Sequence, residues 1–345
     1  MNAIERAVKR LPDVSTRAHF EAFLKERSIP HSADNWADLI DKRLRPAMQD
    51  GRVTAAELIR FYREMEEHGA QHVLLYGVKD RAVLKRLFQS DWTKTKFCAR
   101  GDVPDLDAFL LPDGDADLSL YEIRYDRRGQ YRTFVMKFCT IRQTVRFVGE
   151  EERPGSRFAR IYATEPYQAV NVIRICESGL CEVRLRSHKR NFGYQAEAHA
   201  LVGLVPDVVT LDGLREISLS RIKDDAFDKA FHDDLPGAFR LRHSRLSEVD
   251  GPTLELSMGA LDRGLLDSKY VVDGLNAFRR SSDVRTDRVG FWLVQEAGED
   301  EAPTVIKIEL TDVLNEFAVS RQVDVIHYEA ILDILLKDGL ETSKR

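Results

Sequence analysis

Apolar positions recur every three or four residues through the first ninety residues and every second residue through the middle of the chain. Ile4, Ala7, Val8 and Leu11 mark one side of a first amphipathic helix. Phe20, Phe23 and Leu24 mark a second, ending near Ser28, Ile29 and Pro30. Trp36, Leu39, Ile40 and Leu44 mark a third, which Pro46 is expected to stop. Thr54 with Glu57 three residues on is a capping box, each side chain satisfying a free amide at a helix start. Leu58, Phe61, Tyr62 and Met65 then continue at helical spacing. A short apolar run, Val73 to Tyr76, precedes a further helix with Val83, Leu84, Leu87 and Phe88 on one face. Together these predict a small helical domain over residues 1–90.

Residues 91–117 gather turn-forming chemistry (Gly101, Pro104, Pro112, Gly114) and read as a loop or linker. From 118 the period falls to two. Six strands are expected at 118–125, 131–138, 140–148, 158–163, 169–176 and 181–186. Their connectors are too short for crossover helices, so neighbours should pair antiparallel. Helices are expected over 194–204 and after Ser218, the latter turning Ile222, Ala226, Phe227, Ala230 and Phe231 inward. This Arg-rich sheet with helices spans 118–235. A second β-group over 236–345 has strands at 239–246, 253–258, 289–294 and 304–310, an acidic tip at Gly298 to Glu301, and a closing helix through Ile326, Ile331, Ile334 and Leu335. The expected class is α+β: a small helical N-terminal domain, then a larger, mainly antiparallel sheet with packed helices.

Composition adds limits. The 345 residues are 43% hydrophobic and 32% charged, enough for a packed core. No run of eighteen apolar residues suggests a membrane span, and the N-terminus lacks the apolar stretch of a secretory signal. A cytoplasmic protein without membrane contact is therefore expected. Cys139, Cys176 and Cys181 lie in apolar strand-like runs and read, with Cys98, as structural free thiols.

Charge changes the picture more. The net charge is −5, yet residues 120–190 hold fifteen Lys/Arg against eight Asp/Glu. The rest of the chain is correspondingly acidic, with twelve acids against five bases in the last fifty residues. Arginine outnumbers lysine 37 to 15 throughout, so it is this segregation, and not arginine abundance, that is informative.

The segregated cations have a pattern. Arg142 and Arg146 share one face of their strand with Thr144, and Arg184 and Arg186 alternate with Val183 and Leu185. His188, Lys189 and Arg190 continue from that strand's end. Side chains two apart on a strand stand about 7 Å apart, close to the phosphate spacing along a nucleic-acid strand, and guanidinium groups grip phosphate through paired hydrogen bonds. Arg279 and Arg280 form a further basic cluster read as a loop, with Arg285 and Arg288 nearby. A third cluster is Arg240, Arg242, His243 and Arg245.

Other chemistry is thin. Asp113, Asp115 and Asp117 open like a calcium loop, but Leu118 and Arg124 stand where glycine and a bidentate glutamate are needed. Pro104 and Asp105 followed by Glu122 and Arg124 resemble the PD-(D/E)xK nuclease arrangement with arginine in place of lysine. The helices around residues 34–67 have a connector longer than a helix-turn-helix allows, and His232 with Asp233 is an isolated pair. Nucleotide-binding, zinc-protease and hydrolase motifs are absent. The expectation is a non-enzymatic nucleic-acid-binding protein, with no cofactor or metal, using Arg142, Arg146, Arg184, Arg186, His188, Lys189, Arg190, Arg279 and Arg280. The alternative is a protein-interaction or scaffold subunit, or a homodimer, its basic middle docking an acidic C-terminal end. A third reading is a degenerate metal-dependent nuclease.

Overall fold

The computed structural model describes residues 3–98, 109, 111, 118–153, 157–188, 193–227, 239–248, 251–259, 263–280, 284–295 and 304–336. Helices α1 (Ala3–Val14) and α2 (Arg17–Lys25) open the chain. Next come α3 (Trp36–Asp38), a π-helical segment (Leu39–Leu44) and α4 (Arg45–Gln49), running on without a break. Pro46 thus sits in the first turn of α4 instead of ending the helix. The wider π turn before it relieves the clash a proline ring makes with the preceding turn. Helix α5 (Ala55–Glu67) opens on the expected capping box: the Glu57 amide donates to Thr54 Oγ1 at 3.2 Å and the Thr54 amide to Glu57 Oε2 at 2.8 Å. These helices close over Phe20, Phe23, Leu39, Leu58 and Phe61 as a core of their own.

Strand β1 (Gln71–Val78) follows, then α6 (Arg81–Leu87), α7 (Ser90–Thr93) and a π turn (Lys94–Cys98). The body of the sheet is β2 (Ser119–Arg128), β3 (Tyr131–Arg153), β4 (Arg157–Cys176) and β5 (Leu180–Arg186). After α8 (Tyr194–Gly203), β6 (Leu214–Glu216) and α9 (Ser220–Asp225) come β7 (Phe239–Glu248) and β8 (Thr253–Ser257). Helix α10 (Lys269–Arg280), β9 (Val284–Gln295), β10 (Thr304–Leu310), β11 (Glu316–Val319) and α11 (Val325–Leu336) are the last of the described elements.

All eleven strands form one antiparallel sheet in the order β2-β3-β4-β5-β1-β11-β10-β9-β7-β8, with β6 also paired to β1. The two β-groups expected from the sequence are its two halves, and β1, from within the helical block, joins them through β5 and β11. β1 reads as an unbroken apolar run because both its faces are covered: Val73 and Leu75 belong to one core cluster, Leu74 and Tyr76 to another. Cys139, Cys176 and Cys181 are free and buried. Among the described residues no helix is long and apolar enough to cross a membrane.

Four expected strands merge into two. β3 runs unbroken from Tyr131 to Arg153 and β4 from Arg157 to Cys176, paired along their whole length. Nothing between Phe138 and Thr140 has turn chemistry, and Pro166 is tolerated because β4 meets β5 only from Val172 onward. A missing amide on that open side costs no ladder bond.

Candidate functional site

The alternation along β2–β5 sends Ile123, Met136, Phe138, Ile173, Ile175, Val183 and Leu185 into the apolar cluster under α8. The opposite face of the same strands carries Glu122, Arg124, Lys137, Arg174, Glu182 and Arg184, every one of them buried. Two helices cover it. From α5, Glu66 Oε2 and Glu67 Oε1 each lie 2.8 Å from Lys137 Nζ, Glu67 Oε2 lies 2.7 Å from Arg124, and Arg63 reaches Glu122 at 2.8 Å. From α11, Glu329 meets Arg174 at 2.6 Å and pairs with Arg128, while Tyr328 donates to Glu182 Oε2 at 2.9 Å. Glu182 joins Arg174 and Arg184, each at 2.8 Å.

The electrostatics follow from this geometry. Burial alone would raise Glu182, but Arg174 and Arg184 hold its carboxyl down at about 2. Burial alone would lower Lys137, and Glu122, Glu66 and Glu67 outweigh it, keeping the ammonium above its ordinary range. Glu67 is held well below the usual carboxylate range by Arg124 and Lys137 against the same burial effect. His68, at the end of α5, is pushed down to about 4 by burial, with Arg184 adding to the shift. A buried charge requires a partner, and each of these cations has one. Arg124, Lys137, Arg128 and Arg174 are therefore neutralised inside the chain by acids from far upstream and far downstream.

The residues singled out by sequence separate accordingly. Arg184 is 1% exposed, bonded to Glu182 and stacked 4.1 Å from the Tyr328 ring centre, so its guanidinium does not reach solvent. Arg142 pairs with Glu197 of α8 and donates to the Arg186 carbonyl at 2.5 Å. His188 stands 3.8 Å from Glu197, and burial lowers its pKa. Arg142, Arg186 and His188 thus gather at the end of β5. Arg146 is exposed on the outer part of β3, 3.9 Å from Glu165. Arg279 and Arg280 end α10, where a loop was expected, and are exposed, Arg279 lying 5.1 Å from the Phe227 ring centre. Arg242 is buried, donating to the Met258 carbonyl at 2.6 Å and lying 4.1 Å from the Trp292 ring centre. Lys189, Arg190, Asp105, the aspartates at 113–117, the His232 and Asp233 pair and the tip at Gly298 to Glu301 lie outside the described residues. Glu122, the acid of the nuclease-like reading, is bound to Arg63 and Arg124, and no metal-ligating cluster occurs among the described residues.

One feature had no counterpart in the sequence reading. β3 loses its β2 partner after Cys139, and β4 has no β5 partner before Val172, so among the described residues the two strands pair beyond these points only with each other. From Gln143 to Arg153 this two-stranded ribbon extends about 33 Å at about 3.3 Å per residue. Phe147 and Tyr162 are directly opposite, rings edge to face at 5.8 Å, and are 50% and 53% exposed. Val145, Val148 and Ile161 stand similarly open. The ribbon's described charges are Arg146, Arg160, Glu150, Glu151 and Glu165, and they leave no cationic excess: Arg160 lies 3.3 Å from Glu150. The sequence signal was present, as the apolar residues Val145, Phe147, Val148, Ile161 and Tyr162, but it reads equally as an ordinary buried strand.

Comparison with protein families, with curated proteins and with solved structures returns no match for this chain.

Proposed function

We propose that this chain is a non-enzymatic assembly subunit that docks a second copy of itself through the β3–β4 ribbon. The observation that carries the reading is the ribbon itself: two unpaired edges with Val145, Phe147, Val148, Ile161 and Tyr162 open to water. A lone two-stranded ribbon is marginal in water, and an exposed apolar edge invites another strand. The charges favour a like partner. Glu150 and Arg160 lie on opposite strands of the face that carries Phe147 and Tyr162, so two ribbons related by a two-fold axis can set arginine against glutamate. A face about 33 Å long and about 15 Å wide covers on the order of 500 Å² per chain, below the roughly 800 Å² of a stable interface. The dimer is therefore expected to be weak and concentration-dependent.

Sedimentation velocity over a concentration series tests this. The wild-type chain should move from one chain mass toward two, and Phe147→Ser with Tyr162→Ser should stay at one. A wild-type monomer at every concentration, or an unaltered dimer in the double variant, overturns the reading.

Nucleic-acid binding is the second reading, and the exposed Arg146, Arg160, Arg279 and Arg280 favour it. Titration with duplex and single-stranded DNA and RNA at several salt concentrations separates the two. Binding that weakens steeply with salt and is lost in Arg146→Glu with Arg160→Glu supports a polyanion surface. Its absence at low salt removes it.

A further inference from the structure

A cavity of about 450 Å³ opens where the ribbon leaves the sheet, between α1, the end of α5 and the end of β5. Its polar walls are Arg10 and Asp13 from α1, Glu66 from α5, Gln168 from β4 and Arg186 from β5, with Ile141 among its apolar lining. The volume suits a small molecule, since such sites span roughly 300–1,000 Å³.

Arg186, half-buried, is unlike the buried arginines of this sheet. Arg124, Arg174 and Arg184 each hold a carboxylate within 2.9 Å. Arg186 has no carboxylate at ion-pair distance among the described residues, and neither has Arg10, which donates to the Gln168 amide oxygen. Arg186 packs so closely on Gly69 that a Cβ there would fall 1.6 Å from its Nη1, so a residue without a side chain is what admits the guanidinium. Glu66, on the same wall, is already held by Lys137 and by the Tyr121 hydroxyl at 3.0 Å. Burial lowers the Arg186 pKa, yet arginine does not release its proton in proteins. Glu66 acts on Arg186 only from beyond ion-pair distance and is itself held by Lys137, so the field it supplies does not offset the desolvation, and an anion entering the cavity reduces that cost.

We propose that this cavity binds a small molecule carrying a single phosphate or carboxylate group, held between Arg10 and Arg186, with its apolar body against Ile141. Asp13 and Glu66 on the same walls repel further negative charge, so the ligand carries one acidic group and polyphosphates are excluded. The guanidinium pair supplies the paired hydrogen bonds that both head groups accept.

Isothermal titration of the full chain with phenyl phosphate, benzoate and inorganic phosphate tests this. One of the two aromatic probes is expected to bind saturably at one per chain, and more tightly than inorganic phosphate, which lacks the body. The tighter of the two assigns the head group. Arg10→Gln and Arg186→Gln should each weaken that probe at least about tenfold, the loss of one charge-assisted pair. Arg10 lies on the outer helix α1, so its variant decides the matter alone if Arg186→Gln fails to give the wild-type circular dichroism spectrum. No saturable binding of any probe, or equal affinity in the arginine variants, overturns the proposal.

Discussion

Replacing Lys137 by methionine removes the one cation within ion-pair distance of Glu66 among the described residues. In the native layer Lys137 Nζ stands 2.8 Å from Glu66, 2.8 Å from Glu67 and 3.7 Å from Glu122. Glu67 keeps Arg124, and Glu122 keeps both Arg124 and Arg63. Glu66 keeps the Tyr121 hydroxyl and has no other cation at ion-pair distance among the described residues. Three carboxylates balanced by three cations become three balanced by two, so one buried negative charge is left over. An uncompensated buried charge of this kind costs roughly 3–5 kcal/mol, a large part of the ~5–15 kcal/mol that holds a typical domain. Methionine matches the volume of the lysine stem, so little of the loss is packing. Urea unfolding at neutral pH, followed by circular dichroism, reads the change as a lower midpoint at constant slope. The partner experiment is Glu66→Gln in the Lys137→Met background. It removes the leftover charge and should return at least about 2 kcal/mol, a coupling seen only between groups that interact directly. A loss under ~1 kcal/mol in Lys137→Met, or no recovery in the double variant, refutes the account of the ion layer.

Acid should weaken the protein in two stages. His68 is neutral and buried with a pKa of about 4, so in the unfolded chain it takes a proton at a higher pH than in the folded one. The stability it contributes is complete above its unfolded value of about 6.5 and is lost as pH falls toward its folded value. Glu182, held at about 2, contributes stability above its unfolded value of about 4.3 that is lost as pH falls through the lower range. Each amounts to about 3 kcal/mol as an order of magnitude, and in a series of urea midpoints against pH His68→Gln should shrink the first stage, leaving the smaller part that His188 and His19 contribute, without changing the second. Arg184→Glu should unfold the chain outright or lower its stability by more than about 3 kcal/mol, because it sets a second carboxylate beside buried Glu182. A folded Arg184→Glu variant of wild-type midpoint contradicts the buried position of that residue.

The sequence made the local chemistry legible and left the partners out of sight. The Thr54 and Glu57 capping box, the helical stripes of α1, α2 and α5, and the period of two along β2–β5 are set by neighbours a few residues away, and they stand in the structure as expected. That Arg184 and Arg186 share one face of their own strand was legible, since they alternate with Val183 and Leu185, but strand order and register, and so whether the basic strands share a face, were not. Nor was what covers that face. Arg124 and Lys137 meet Glu67 and Glu66 more than fifty residues upstream, and Arg174 meets Glu329 155 residues downstream. A local charge count sees none of these acids, so an internal ion layer looks like a basic surface. Glu329 and Asp333 of the acidic C-terminal end reach Arg174 and Arg128 within the same chain, a contact that an expectation of docking between chains does not include. The ribbon was hidden for a different reason. Apolar alternation marks a strand but not what lies against it, and only the pairing lengths of β2 and β5 show where β3 and β4 stand alone.

Hydrogen exchange at low and high protein concentration tests the docking of the ribbon most directly. Amides on the outer edges of β3 beyond Cys139 and of β4 before Val172 have no partner strand among the described residues. Docking of a second copy predicts that these amides alone gain protection as concentration rises, while β1 and β5 exchange at an unchanged rate, and that Phe147→Ser with Tyr162→Ser removes the gain. Ribbon amides that exchange at the same rate at every concentration would contradict it.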